Sequence, residues 1–343
     1  MQRIRSQQPG SSILVAGGAG FIGTNLCETL LREGHEVFCV DDFVTGTVAS
    51  VSRLSQHAKF TSIVHDICHP LVIDRKLAAI YNLACAASPP AYQADPVHTM
   101  MTNVLGTKNL LDLAQEHGAV LVQASTSEIY GDPEQHPQQE TYRGLVNCTG
   151  PRACYDEGKR AAEALCFDYL RAGRADARVA RIFNTYGPYM RPDDGRVVSN
   201  FIVQALSARP ITIYGEGCQT RSFCYVADLV DGLRRLANVE PNPQTAINLG
   251  NPQEYTVCEL ADEIIRLIPH QVRKVNRPLP IDDPKHRRPD IRLAREILRW
   301  SPRVQLSEGL ARTIDWFRQC LPAADANEAR QPAKTMMGEG AGR

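Results

Sequence analysis

Tyr155 and Lys159 stand four residues apart in Cys154-Tyr155-Asp156-Glu157-Gly158-Lys159, so on a helix both side chains point to one face. A phenol with a reference pKa of about 10 is a poor base at neutral pH. A neighbouring ammonium favours the phenolate and turns the pair into a general base. Thr126, Ser127 and Glu128 follow the apolar run 120–125, which reads as a strand. They therefore fall at the carboxyl edge of a sheet, where open α/β sheets bind ligands. A hydroxyl there can share a substrate proton with Tyr155, and the carboxylate of Glu128 can act on the next carbon. Capping of a following turn is the other use of such a run.

These side chains need a platform, and the N-terminal third supplies one. Ser12-Ile13-Leu14-Val15-Ala16 has the pattern of a buried strand and leads directly into Gly17-Gly18-Ala19-Gly20-Phe21-Ile22-Gly23, followed by a helical stretch to Arg32. A glycine loop between a first strand and a first helix lets the backbone approach a pyrophosphate, whose charge meets the helix N-terminus. Gly17, Gly20, Phe21, Ile22 and Gly23 are the expected contacts. Asp41 lies eighteen residues past Gly23, at the end of the strand 36–40. A carboxylate there accepts hydrogen bonds from ribose hydroxyls and repels a 2′-phosphate, which favours NAD over NADP. The positive nicotinamide of NAD would favour the Tyr155 phenolate further. Asp66, after the third strand, is placed to hold the adenine amine or to cap a helix.

The first half alternates β-branched runs (13–15, 37–40, 60–65, 79–83, 120–125, 179–183) with helical patterns (21–32, 97–115, 155–173), the rhythm of a doubly wound parallel sheet of Rossmann type. The expected division is a NAD-binding domain over 11–185, a smaller C-terminal α/β lobe over 186–320 that mainly binds substrate, and a disordered tail over 321–343. The 343 residues are 43% hydrophobic and 22% charged, the composition of a folded chain. Lys plus Arg (38) equals Asp plus Glu (38), so no global field attracts nucleic acid or an anionic membrane. Eleven cysteines, an odd number without a C-x-x-C pair, spell out neither a disulfide framework nor a zinc ribbon and suit the cytoplasm. No run of 18 apolar residues and no signal sequence is expected, and the Asn147-Cys148-Thr149 sequon then has no meaning.

The chain resembles the extended short-chain dehydrogenases/reductases and, within them, the UDP-glucuronic acid decarboxylase family. The stretches that carry the likeness are Ala87-Ser88-Pro89-Pro90, Ser125 to Pro133, Cys154 to Arg160, Ala180 to Pro188, Asp193 to Phe201 and Gln219 to Phe223. The resemblance implies bound NAD and a UDP-glucuronate substrate. It also implies a homodimer in which the helices 97–115 and 155–173 form a bundle with a second copy. It implies that Tyr155, Lys159, Thr126, Ser127, Glu128 and Arg287 are catalytic. Asp42, Thr45, Gly46, Ile67, Leu83, Thr102 and Thr185 would join the cofactor contacts, and no metal is expected. Pro90, Asn184, Arg196, Asn200, Tyr214, Arg221 and Arg288 would hold the nucleotide sugar. Three positions depart from the family pattern: Asn82 for a usual His, Met101 for a Lys and Tyr189 for a common Arg. A UDP-sugar 4-epimerase or 4,6-dehydratase shares the first oxidation. The dehydratase wants an acid where Ser127 stands. A non-catalytic NAD-binding regulator would be expected to have lost Tyr155, Lys159 or Thr126.

Overall fold

The computed structural model describes residues 3–4, 8, 10–278 and 286–321, so the expected tail lies outside the described residues beyond Leu321. Seven parallel strands form one sheet: β1 (Ser12–Ala16), β2 (Glu36–Asp41), β3 (Phe60–Val64), β4 (Leu77–Asn82), β5 (Val120–Thr126), β6 (Asp176–Ile182) and β7 (Ile247–Leu249). Their spatial order is 3-2-1-4-5-6-7, with the reversal between β1 and β4. Ligands bind at such a switch point, beyond the carboxyl ends of the strands. The seventh strand comes from the second half of the chain, so the sheet draws on residues well beyond 185.

β1 shows why the strands are apolar throughout. Ile13 and Val15 enter one core and Leu14 and Ala16 the other, all four without exposed surface. Both faces of a parallel sheet are covered by helices, so alternation with polar residues is absent. One core includes Leu26 and Leu30 of α1 (Phe21–Arg32); the other includes Leu110, Leu111 and Cys166.

The helical pattern 97–115 is realised in three pieces: α2 (Pro96–Met101), a π-helical turn (Thr102–Gly106) and α3 (Thr107–His117). Gly106 sits where a Cβ would come within 2.5 Å of the Ile67 side chain. The turn thus lies directly against the segment after β3. The stretch expected to be helical from Tyr155 to Gly173 is α4 (Ala153–Arg171).

A buried arginine joins the sheet to the second half. Arg178 on β6 donates to the carbonyls of Leu236, Ala237 and Val239 at 2.8 to 2.9 Å and pairs with Asp176. It satisfies carbonyls at the end of the helix Val226–Asn238, which otherwise lack intrahelical donors. Further along, Thr220–Ser222 runs between Glu254–Thr256 and His286–Arg287. That small sheet carries Arg221 and Arg287 back to the carboxyl edge of the main one.

Candidate active site

A cavity of about 590 Å³ runs across the carboxyl ends of the strands, from the glycine loop past Tyr155 to Arg221 and Arg287. Gly17 has φ +74°, and a Cβ there would lie 2.6 Å from the Leu83 carbonyl carbon. Only glycine permits both the turn and the close passage over β4. Gly20 caps α1 and offers no side-chain acceptor, while Phe21, Ile22 and Gly23 of the first turn line the cavity. Donors of this kind, at the positive end of a helix, form a cradle for a pyrophosphate.

Asp41 accepts the N–H of Ala19 at 2.9 Å and that of Phe43 at 2.8 Å. Burial raises its pKa against the pull of these donors. An ionised carboxylate has about four acceptor sites, so a ribose diol can still be held. A 2′-phosphate would meet the same charge. The residues therefore fit NAD. Asp42, Thr45, Ile67, Leu83, Thr102 and Thr185 also face the cavity.

Two further expected cofactor contacts stand just behind the cavity wall. Gly46 supports Asp41 from behind, because a Cβ there would lie 2.6 Å from its Oδ1. Asp66 accepts the Cys68 N–H at 2.8 Å, and its Oδ2 lies 3.1 Å from His98 Nε2. Its neighbours His65 and Ile67, and not Asp66 itself, form the wall. Among the described residues, Asp66, Cys68 and His98 are the one group of three whose possible metal-ligand atoms come within 4.8 Å of one another. The direct Asp66–His98 hydrogen bond accounts for their meeting.

Tyr155 is buried and stacks flat on Tyr92, with ring centres 4.9 Å apart and planes 6° from parallel. Thr126 is hydrogen-bonded to its phenol and favours ionisation, while burial and the nearby Cys85 push the pKa up. Lys159 lies beside the Tyr155 ring on the same face of α4. Its ammonium donates to the Ala124 carbonyl at 2.9 Å and lies 5.9 Å from the Tyr155 ring centre. Burial lowers its pKa.

Glu128 is gripped from both sides. Its Oε1 accepts from Arg287 and its Oε2 from Arg152. Arg287 is buried and also donates to the Gly131 carbonyl at 3.3 Å. Burial pulls its pKa down to about 10. Tyr92 works the other way, and at about 10 the guanidinium stays charged at neutral pH. Arg152 faces Asp156 at 3.6 Å, one turn along α4.

At the far end, Asn184, Arg196, Asn200, Tyr214 and Arg221 line the cavity. Arg196 is held in a two-point pair with Asp194 and lies over the Phe21 ring. Pro90 and Arg288 do not form part of the wall. Arg288 instead pairs with Glu254 at 3.4 Å, and its backbone N–H donates to Gln138 Oε1 at 2.8 Å. The three departures find local explanations. Asn82 bonds Gln123 on β5 and Thr107 on α3, Met101 lies away from the cavity, and Tyr189 packs against Trp316 with ring centres 4.5 Å apart and planes tilted by 48°.

Sequence reasoning missed Tyr92, Cys85, His98 and Arg152 as cavity residues. A signal existed for one of them. Arg152 is the N-cap of α4, where a cation opposes the helix dipole, so a reason outside the helix is required.

Residues 13–250 match the model of the NAD dependent epimerase/dehydratase family. The chain is 50% identical over 312 residues to UDP-glucuronic acid decarboxylase 1 of Danio rerio, covering 91% of this chain and 74% of that protein. It is 50% identical over 313 residues to UDP-glucuronic acid decarboxylase 3 of Arabidopsis thaliana, covering 91% and 90% respectively. Among solved structures, the UDP-glucuronic acid 4-epimerase of Bacillus cereus in complex with UDP-glucuronic acid and NAD superposes with a TM-score of 0.80. It is 27% identical, with 90% of this chain and all of that one covered.

Proposed function

The chain belongs to the NAD dependent epimerase/dehydratase family, and from that membership we propose that it decarboxylates UDP-glucuronate to UDP-xylose. The observation that carries this reading is the meeting of Glu128, Arg287 and Arg152 beside Tyr155 and Thr126, on a chain half identical to decarboxylases.

Held by the glycine loop and Asp41, NAD would supply a reversible hydride acceptor for the sugar C4. The chain does the rest. Tyr155 removes the proton of the C4 hydroxyl at its Oη, with Thr126 steadying the phenolate. Oxidation leaves the C6 carboxylate β to a ketone. The C5–C6 bond then breaks, carbon dioxide departs, and its electron pair settles on the C4 oxygen as an enolate facing the Tyr155 and Thr126 hydroxyls. Arg287 polarises a water that protonates C5, since a guanidinium seldom gives up its own proton. Tyr155 returns its proton to the C4 oxygen as the alcohol re-forms. Lys159 keeps the end of β5 in place through Ala124.

Ser127 stands where a dehydratase would need an acid, which favours decarboxylation over that alternative. Fit to the 4-epimerase fold is close, so the product decides. Incubation with UDP-glucuronate should give UDP-xylose by NMR; UDP-galacturonate in its place would make the chain an epimerase.

We propose further that a second copy packs against α2, α3 and α4 in a homodimer; the exposed apolar side chains of Val97 on α2 and Leu105 on the π-helical turn support this. The same reading puts the protein in the cytoplasm. Among the described residues no helix is long and apolar enough to cross a membrane, and all eleven cysteines are free.

A further inference from the structure

Glu128 meets two guanidiniums, one more than its charge requires. The two are not equivalent. Arg287 is held on two sides, by Glu128 and by the Gly131 carbonyl, with its side chain 6% exposed. Arg152 reaches Glu128 from the start of α4, has Asp156 behind its Nε at 3.6 Å, and leaves 30% of its side chain exposed in the cavity wall. A guanidinium carries five N–H donors in a rigid fork, so its open edge can take a second carboxylate while the first stays bound.

We propose that Arg152 is the residue that recognises the C6 carboxylate of the substrate, sharing its guanidinium between that group and Glu128. The proposal rests on the decarboxylase reading above. Its placement makes physical sense of an otherwise unfavourable choice, a cation at a helix N-terminus. A helix start already favours an anion nearby, and Arg152 adds to that pull.

Sharing also serves the reaction. A carboxylate gripped by two unopposed arginines would be stabilised in the ground state and would resist loss. Glu128 competes for the same donors, so the hold is sufficient for recognition and weak enough to release. When the C5–C6 bond breaks, its electron pair moves through C5 to the C4 oxygen and neutral carbon dioxide leaves. The negative charge at C6 is gone, and Arg152 returns wholly to Glu128. Asp156 keeps the fork aligned throughout.

The test uses the NAD-loaded protein in a Tyr155→Phe background, which lacks the base and does not consume ligand. Calorimetry measures UDP-glucuronate, UDP-glucose and UDP binding with and without Arg152→Gln, and with Arg152→Lys. Arg152→Gln is expected to weaken UDP-glucuronate by roughly 10- to 100-fold, the range of a charge-assisted hydrogen bond. UDP-glucose and UDP should stay within about twofold, and Arg152→Lys should recover part of the loss. Equal weakening of all three ligands would show a merely structural role and overturn the assignment, as would unchanged UDP-glucuronate binding. A Tyr155→Phe protein with Arg152 intact that bound UDP-glucose but not UDP-glucuronate would overturn the decarboxylase reading as well.

Discussion

Lys159 stands 5.9 Å from the centre of the Tyr155 ring, with its ammonium bonded to the Ala124 carbonyl at 2.9 Å. A buried ammonium loses hydration that a single carbonyl restores only in part. Burial accordingly lowers its pKa. Because the unfolded chain holds that proton more tightly, Lys159 weakens the fold at neutral pH and the penalty fades as pH rises toward the unfolded value. Lys159→Met should therefore leave the melting temperature unchanged or higher while turnover falls by at least about 100-fold. Calorimetry and a product assay read the two quantities; a large drop in melting temperature would contradict the account.

Asp41 sets cofactor choice through charge at the end of β2, where it is fixed by the N–H groups of Ala19 and Phe43. Asp41→Asn keeps an acceptor for these donors and removes the repulsion of a 2′-phosphate. The ratio of NAD to NADP affinity should fall by about 10-fold or more, as judged by titration with each cofactor. An unchanged ratio would take the discrimination away from Asp41.

Glu128→Gln leaves Arg152 and Arg287 without their shared anion. Both would then turn to the substrate carboxylate and hold it in the ground state. Carbon dioxide release should slow by at least about 10-fold more than formation of the reduced cofactor, so that the 4-keto acid accumulates in a single turnover. Equal slowing of both steps would remove the role assigned to Glu128.

Asp156 is buried beside Arg152, and desolvation raises its carboxyl to about 6, from an ordinary 3.8. The folded state therefore binds a proton that the unfolded chain has already released. Its contribution to stability is complete below about pH 4, is lost as pH rises through about 6, and amounts to roughly 3 kcal/mol. Asp156→Asn should lower the melting temperature in acidic buffer, relative to that in neutral buffer, by roughly 5 °C. An identical pH profile in variant and wild type would contradict this.

The sheet and the cofactor loop were legible because their signals are local. A glycine turn, a buried strand and an acid at the next strand end lie within 30 residues, and each element follows from its own pattern. Tyr155 and Lys159 were readable from helical spacing, yet spacing could not say that the ammonium turns to Ala124. Arg287 entered only through family likeness, because 159 residues separate it from Glu128. Arg152 escaped notice since its partner lies 24 residues away on another element. The contact between Asp66 and His98 was out of reach for the same reason, with 32 residues between them. The π-helical turn within 97–115 left no mark on the apolar periodicity.

The central claim is that oxidation at C4 is temporary and serves to release the C6 carboxylate. UDP-glucuronate carrying carbon-13 at C6 and deuterium at C4 tests it in one tube, with the protein loaded with NAD and no reductant added. The account predicts labelled carbon dioxide together with UDP-xylose that still carries deuterium at C4. Labelled carboxylate retained in a UDP-galacturonate product, or UDP-xylose without the deuterium, would contradict it.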